Sequence, residues 1–425
     1  MTAPSPTADQ LHRVDVGTSA LIDYRTTLVP GLYEQILDTA RTLQGLRVMH
    51  LSATAAGGGV AEILRSLVPL LRDVGIDAEW RIIAGADELF DVTKLMHNSL
   101  QGDARALSSK QWATWRRYQQ HIAASLDPSD YDVVVVHDPQ PAGVAAVHPG
   151  STTRWIWRCH IDLSAPNPDT LAHLLPHLAP YDLAMFHCQE YIPSELAGPE
   201  PWVVAPAIDP LNRKNMALTP GEARRIVATF GVDPTRPLMC QISRFDPWKD
   251  PLGVVDAWRI ARAKVPDLQL ALIGALAADD PEGRAYLQRT IEHLGADLAA
   301  GAIVLTDHDG IGDVEVNAFQ VAADVLLQKS LREGFGLTVS EALWKARPMV
   351  AGDVGGIRAQ ITNGDTGYLV ATVEAAAARV LDVLRDPTAA AALGRAGKER
   401  VRERFLMPRA VHDHLRSYHH VLRTP

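Results

Sequence analysis

The stretch Leu331-Arg332-Glu333-Gly334-Phe335-Gly336-Leu337-Thr338-Val339-Ser340-Glu341-Ala342 sets two carboxylates around a glycine-punctuated turn that opens a helix. Gly334 and Gly336 let backbone come close to a ligand, and the N–H groups of a helix start over Leu337 to Ser340 suit a diphosphate. Glu341, one turn in, then faces hydroxyls. A carboxylate accepts paired hydrogen bonds from a cis-diol such as ribose, whereas beside phosphate it repels. The outline is that of a sugar-nucleotide site, with the two acids on the sugar and ribose flanks.

The balancing charge lies upstream. Gln241-Ile242-Ser243-Arg244-Phe245-Asp246-Pro247-Trp248-Lys249-Asp250 follows an apolar run, Pro237 to Ile242, that reads as a buried parallel strand. Arg244 and Lys249 thus leave the carboxyl end of one strand together, the edge at which an open α/β sheet binds ligands. Arg244 as a planar fork and Lys249 as a compact charge can neutralise a departing nucleotide diphosphate. The competing reading makes them surface ion pairs with Asp246 and Asp250, and the second phosphate-type signal downstream weighs against it.

Outward from these motifs, short apolar strands alternate with helical patterns from Arg47 onward, the mark of βαβ units. Strands are expected at Arg47–Leu51, Glu79–Ile83, Asp132–His137, Arg154–Arg158, Leu183–His187 and Trp202–Val204, with a helix at Val60–Arg72. A second set is expected at Leu238–Ser243, Gln269–Ile273, Ile303–Leu305, Val325–Gln328 and Met349–Gly352, with helices at Pro251–Ala263, Pro281–Leu294 and Val339–Lys345. The fold class is α/β, two doubly wound Rossmann-like domains, and the default site is a central cleft faced by the carboxyl ends of both sheets. The expected boundaries are a disordered lead over 1–13, a first domain over 14–205, a proline-bearing linker over 206–213, and a second domain over 214–404. A C-terminal helix is expected within 405–425.

The chain has 425 residues, 47% of them hydrophobic and 21% charged, long enough for two such domains. A net charge of −9 offers no basic footprint for nucleic acid or anionic membranes, which points to a small-molecule partner. Cys159, Cys188 and Cys240 are far apart and odd in number, which fits a reducing cytoplasm and offers neither a disulfide framework nor a zinc spacing. No run approaches the ~20 apolar residues needed to span a bilayer, and the opening residues lack the pattern of a signal peptide.

In the first domain, Gly57-Gly58-Gly59-Val60-Ala61-Glu62 turns from a strand into a helix. Glu62 is too large for the third small position of a dinucleotide fingerprint, which weakens a nicotinamide reading, but Gly58 and Gly59 still expose N–H groups to a phosphate or sugar. Two more strand ends carry polar clusters, His137-Asp138-Pro139-Gln140-Pro141 and Trp155-Ile156-Trp157-Arg158-Cys159-His160-Ile161-Asp162. Asp138 is placed to hold acceptor hydroxyls, His160 and Asp162 to line the reacting face, and Trp155 and Trp157 to pack the core. Cys159 and His160 point to opposite sides of the chain, so they form no metal pair.

The acidic pair spaced E-x7-E with Arg244 and Lys249 resembles the pattern of retaining GT-B glycosyltransferases of the glycogen-synthase and sucrose-synthase-like group. The longer stretches Gly57–Leu64, His137–Pro141, Trp157–Ser164, Ser243–Lys249 and Glu333–Val339 are similar to the trehalose glycosyltransferring synthases, from about Arg47 to the C-terminal helix. The lead before Val14 carries no resemblance. The resemblance implies a GT-B fold and transfer of glucose from an NDP-glucose (UDP, ADP or GDP) to free glucose. The product is α,α-trehalose, made reversibly and with retained configuration. It implies catalytic roles for Arg244, Lys249, Glu333 and His160, and donor contacts from Gly58, Gly59, Phe335, Gly336, Leu337, Thr338 and Glu341. Acceptor contacts fall to Asp138, His160 and Asp162. A last helix that returns to the first domain is carried over from that fold. No tightly bound cofactor is expected, a divalent ion such as Mg2+ at most assists the diphosphate, and the partners expected besides the sugars extend to a second copy in a homodimer. The rivals are a trehalose phosphorylase using glucose 1-phosphate, an NDP-sugar epimerase on the same scaffold, a nicotinamide oxidoreductase and a noncatalytic sugar-nucleotide sensor.

Overall fold

A computed structural model of the chain describes residues 11–55, 58–83, 87–276 and 281–424. The chain divides into two units: the first runs to Pro206 and resumes from Met407, and the second is Ala207–Leu406.

In the first unit the apolar runs become β2 (Arg47–Ser52), β3 (Asp77–Ile82), β4 (Val133–His137), β5 (Arg154–Arg158), β6 (Leu183–Phe186) and β7 (Glu200–Val203), preceded by the short β1 (His12–Arg13). Every residue of β4 is buried, as a strand covered by helices on both faces requires. The sheet order is β1-β3-β2-β4-β5-β6-β7, all parallel except β1. The helix Gly59–Asp73 turns Ile63, Leu64, Leu67, Leu70 and Leu71 inward, all buried. Trp155 and Trp157 pack with Trp115 and Phe186 in the core.

The second unit carries β8 (Leu238–Ile242), β9 (Gln269–Gly274), β10 (Ala302–Thr306), β11 (Val325–Gln328), β12 (Met349–Gly352) and β13 (Tyr368–Val370). Its order, β10-β9-β8-β11-β12-β13, is parallel throughout and reverses direction between β8 and β11. The first sheet reverses between β2 and β4 in the same way. In doubly wound sheets the carboxyl ends flanking such a reversal are where ligands bind.

Three expectations need correction. The expected lead over 1–13 ends earlier, because His12 and Arg13 pair antiparallel with Ile82 and Arg81; a two-residue edge strand carries no period to read. Residues 1–10 lie outside the described residues. The expected linker over 206–213 is mostly part of the second unit: Ala207 and Ile208 are apolar and buried, and the Ile208 N–H donates to the Phe405 carbonyl at 2.8 Å. The last helix is Met407–Arg423, and it packs in the first unit against the helices Leu32–Arg41 and Gly59–Asp73. Finally, the helix expected from Val339 begins at Leu337, because Gly336 takes the left-handed backbone (φ 81°) that sets the turn.

Candidate functional site

The second unit gathers its candidates at the β8/β11 reversal. Where β8 ends, Asp246 accepts from the N–H groups of Trp248 (2.9 Å) and Lys249 (3.1 Å) and winds Pro247–Lys249 into one 3-10 turn. Where β11 ends, the Lys329 N–H donates to Gln241 Oε1 at 3.0 Å, while Gln241 Nε2 donates to the Lys249 carbonyl at 3.0 Å. One glutamine of β8 therefore fixes both strand exits. The result is an ion pair, Lys249 Nζ to Glu333 Oε2 at 2.5 Å, with Ser330 Oγ donating to the same carboxylate at 3.1 Å. Both charged side chains are largely buried.

Of the surface pairs weighed in the sequence, only Arg244 with Asp246 forms, at 3.3 Å, and two-thirds of the Arg244 side chain stays exposed. Asp250 pairs instead with Lys329. A Cβ at Gly336 would lie 3.1 Å from Glu333 Cγ, so the turn is close-packed on that carboxylate. Gln360 Nε2 donates to the Phe335 carbonyl at 2.5 Å, Phe335 is buried against Phe405, and Thr338 Oγ1 donates to Gln328 Oε1 at 3.1 Å. These bonds hold the helix start rigid.

Glu341 is 1% exposed. Gln320 Nε2 donates to its Oε2 at 2.9 Å, and Lys214 Nζ lies 3.5 Å from Oε1, which itself makes no hydrogen bond among the described residues. A buried carboxylate oxygen with acceptor capacity left over suits a ligand hydroxyl.

In the first unit, Asp138 follows β4 with a left-handed backbone (φ 66°), a strained conformation outside glycine. Its Oδ1 accepts the His160 N–H at 2.7 Å, which locks the exit of β4 to that of β5. Burial raises the Asp138 carboxyl to about 7, against the lowering effects of the His160 N–H and the Arg158 charge. His160 is half-buried, and both ring nitrogens face other imidazoles: Nε2 is 2.9 Å from His137 Nδ1, and Nδ1 is 3.4 Å from His187 Nε2. Asp162 turns its carboxylate to the Ser164 N–H at 2.8 Å. Gly58 is extended and caps the helix that begins at Gly59; Gly57 lies outside the described residues.

Sequence reasoning missed Lys214 and Gln320 around Glu341, because both come from elsewhere in the unit without a motif of their own. It also missed His50, His187 and Tyr418 beside His137 and His160. The available signal was a histidine within β2 and at or just past the ends of β4, β5 and β6; Tyr418, on the last helix, carried none.

Two family models match stretches of the chain. Residues 50–193 match the family model "Trehalose synthase, N-terminal domain", and residues 223–400 match "Glycosyl transferases group 1". Trehalose synthase of Rubrobacter xylanophilus is 49% identical over 412 residues, covering 96% of this chain and 98% of the relative. Trehalose phosphorylase of Pleurotus pulmonarius is 27% identical, covering 85% of this chain and 54% of the relative. Among solved structures, the sucrose-phosphate synthase of Thermosynechococcus elongatus superposes with a TM-score of 0.70 at 18% identity, covering 88% of this chain and 99% of that one. The chain belongs to the trehalose synthase family of GT-B glycosyltransferases.

Proposed function

We propose that this chain is a retaining glucosyltransferase that joins glucose from an NDP-glucose to the anomeric hydroxyl of free glucose, giving α,α-trehalose reversibly. The observation that carries the reading is Glu341. It is a buried carboxylate one turn into a helix, with an oxygen that makes no hydrogen bond among the described residues, as a ribose diol requires. The N–H groups of Phe335, Gly336, Leu337 and Thr338 and the Glu333 carboxylate then take the donor's phosphates and glucose, assisted by Gly58 and Gly59 of the first unit.

In the step, the bond from the glucosyl anomeric carbon to the diphosphate oxygen breaks, and a bond to the acceptor's anomeric oxygen forms on the same face. The acceptor proton ends on the leaving phosphate. Arg244 and Lys249 stabilise the charge that develops there, and the cost of reorganisation is small because Lys249 is already held by Glu333. Asp138, His160 and Asp162 hold the acceptor. Among the described residues no group of three or more His, Cys, Asp or Glu side chains is arranged to hold a metal ion. The three cysteines are unpaired and buried, which supports a reducing cytoplasm as the place of work.

The phosphorylase alternative uses glucose 1-phosphate, which has no ribose for Glu341; an epimerase turns over the donor without glucose. Incubation with UDP-, ADP- or GDP-glucose plus glucose, followed by linkage analysis of the disaccharide, separates them. A 1,1-linked α,α product that requires both substrates and releases NDP is expected. Trehalose formed from glucose 1-phosphate plus glucose with no nucleotide sugar present, or donor turnover without glucose, overturns the reading.

A further inference from the structure

Side chains of the first unit that the proposed chemistry leaves unused stand in single file behind His160. Tyr418, on the helix Met407–Arg423, sets its hydroxyl 3.1 Å from His50 Nε2. His50 Nδ1 lies 3.0 Å from His137 Nε2, and His137 Nδ1 lies 2.9 Å from His160 Nε2. Beyond it, His160 Nδ1 meets His187 Nε2 at a longer 3.4 Å. Tyr418, His50, His137 and His187 are all at most 4% exposed. β2 supplies His50, β4 supplies His137, His160 and His187 follow β5 and β6, and the returning helix supplies the tyrosine.

Such a file has few legal proton arrangements. A neutral imidazole carries one N–H and one lone pair, and each contact needs one of each. Neighbouring rings joined Nδ1 to Nε2 must therefore carry their protons on the same-named nitrogen. A mismatch would press two N–H groups or two lone pairs together in a dry interior. Burial keeps the rings neutral, pushing His50 to about 3 and His137, His160 and His414 well below their usual value. Arg158 adds to this for His137, His160 and His414. The polarity is set at the closed end. The Tyr418 hydroxyl stays protonated in its buried setting and has two nitrogens in reach, His50 Nε2 at 3.1 Å and His414 Nδ1 at 3.4 Å. Donation along the shorter contact to His50, with His414 donating to the hydroxyl oxygen, satisfies every member and places each ring's proton on Nδ1.

We propose that Tyr418, His50 and His137 are positioning residues that fix His160 as a neutral imidazole protonated on Nδ1. A sugar hydroxyl oxygen then displaces the long His187 contact and accepts that N–H. The proposal rests on the reading of His160 as an acceptor-side residue. It adds a purpose for the returning C-terminal helix, whose tyrosine sets a hydrogen-bond donor three rings away.

The test is long-range proton–nitrogen NMR of the whole chain labelled with nitrogen-15 histidine, without substrate, assigned with single His→Gln variants. His50, His137 and His160 are expected as neutral Nδ1–H tautomers at pH 7.5. Nε2–H at His160, a mixed file, or an imidazolium among the three overturns the proposal. In Tyr418→Phe with an unchanged circular dichroism spectrum, His160 becomes a tautomer mixture. Its kcat falls about tenfold, the worth of one neutral hydrogen bond, while the KM for the nucleotide sugar stays within about twofold. Wild-type kcat in a folded Tyr418→Phe chain overturns it as well. The tautomer measurement needs no substrate, so failure to find trehalose as product leaves it standing and the two readings fail separately.

Discussion

At the scale of single residues, what matters is how the charged groups are held. Lys249 was read from its distance to a strand end, and the structure adds that its ammonium is largely buried on Glu333 at 2.5 Å. Replacing it by alanine removes a preorganised cation from Glu333, whose Oε2 keeps the Ser330 hydroxyl as a donor. For Lys249→Ala we expect turnover to fall by about 10²–10³, the usual cost of one preorganised group in a water-excluded site. The circular dichroism spectrum should stay that of the folded chain. Near-normal turnover in the purified variant would remove Lys249 from the mechanism. The identity of Lys249, Glu333 and Glu341 as site residues was legible because the motif itself carries them. Their partners were not: Gln241, Gln320 and Lys214 reach the site only through strand register and helix packing.

Among the elements, the carboxyl end of the first sheet is the least ordinary, since imidazoles from neighbouring strands share it. A histidine buried as the neutral form binds no proton in the folded chain, while the unfolded chain takes one up below pH 6.5. Such a group's contribution is present above 6.5 and is lost as pH falls toward its folded value, about 3 for His50. The limiting slope is about 1.4 kcal/mol per pH unit for each group. His137, His160 and His414 act in the same direction. Asp138 opposes them: raised to about 7, it holds a proton in the fold that the unfolded chain releases above about 4, so it favours the fold as pH drops through that window. Four groups against one make acid the destabilising direction. The melting temperature of the first unit is expected to fall from pH 7.5 to pH 5.5. A flat or rising midpoint in a scanning calorimetry series would contradict the burial of neutral imidazoles.

For the molecule as a whole, the chain's last element belongs to its first unit. Met407, Val411, Leu415, Tyr418 and Val421 of that helix are all at most 1% exposed. At roughly 1.5–3 kcal/mol for each large apolar side chain buried, their removal costs on the order of 10 kcal/mol, comparable with the ~5–15 kcal/mol that holds a typical domain together. A chain ending at Leu406 is therefore expected to lose hydrogen-exchange protection in β2, β4 and β5 while β8, β9 and β11 stay protected. Equal protection in both sheets would show that the helix is dispensable. The sequence by itself determined the class of fold, two doubly wound sheets, and it placed β5, β11 and β12 to the residue. Buried parallel strands must be continuous apolar runs, and such runs are local. It also carried the glycine turn and the two glutamates, since a turn and a helix start are set by neighbours along the chain. Only the tertiary structure decided that β1 and β13 join their sheets, that residues 207–213 pack in the second unit, and which partner each charge takes. Those outcomes come from hydrogen bonds and burial between segments far apart in sequence, as with Tyr418 and His50, and no local period encodes them.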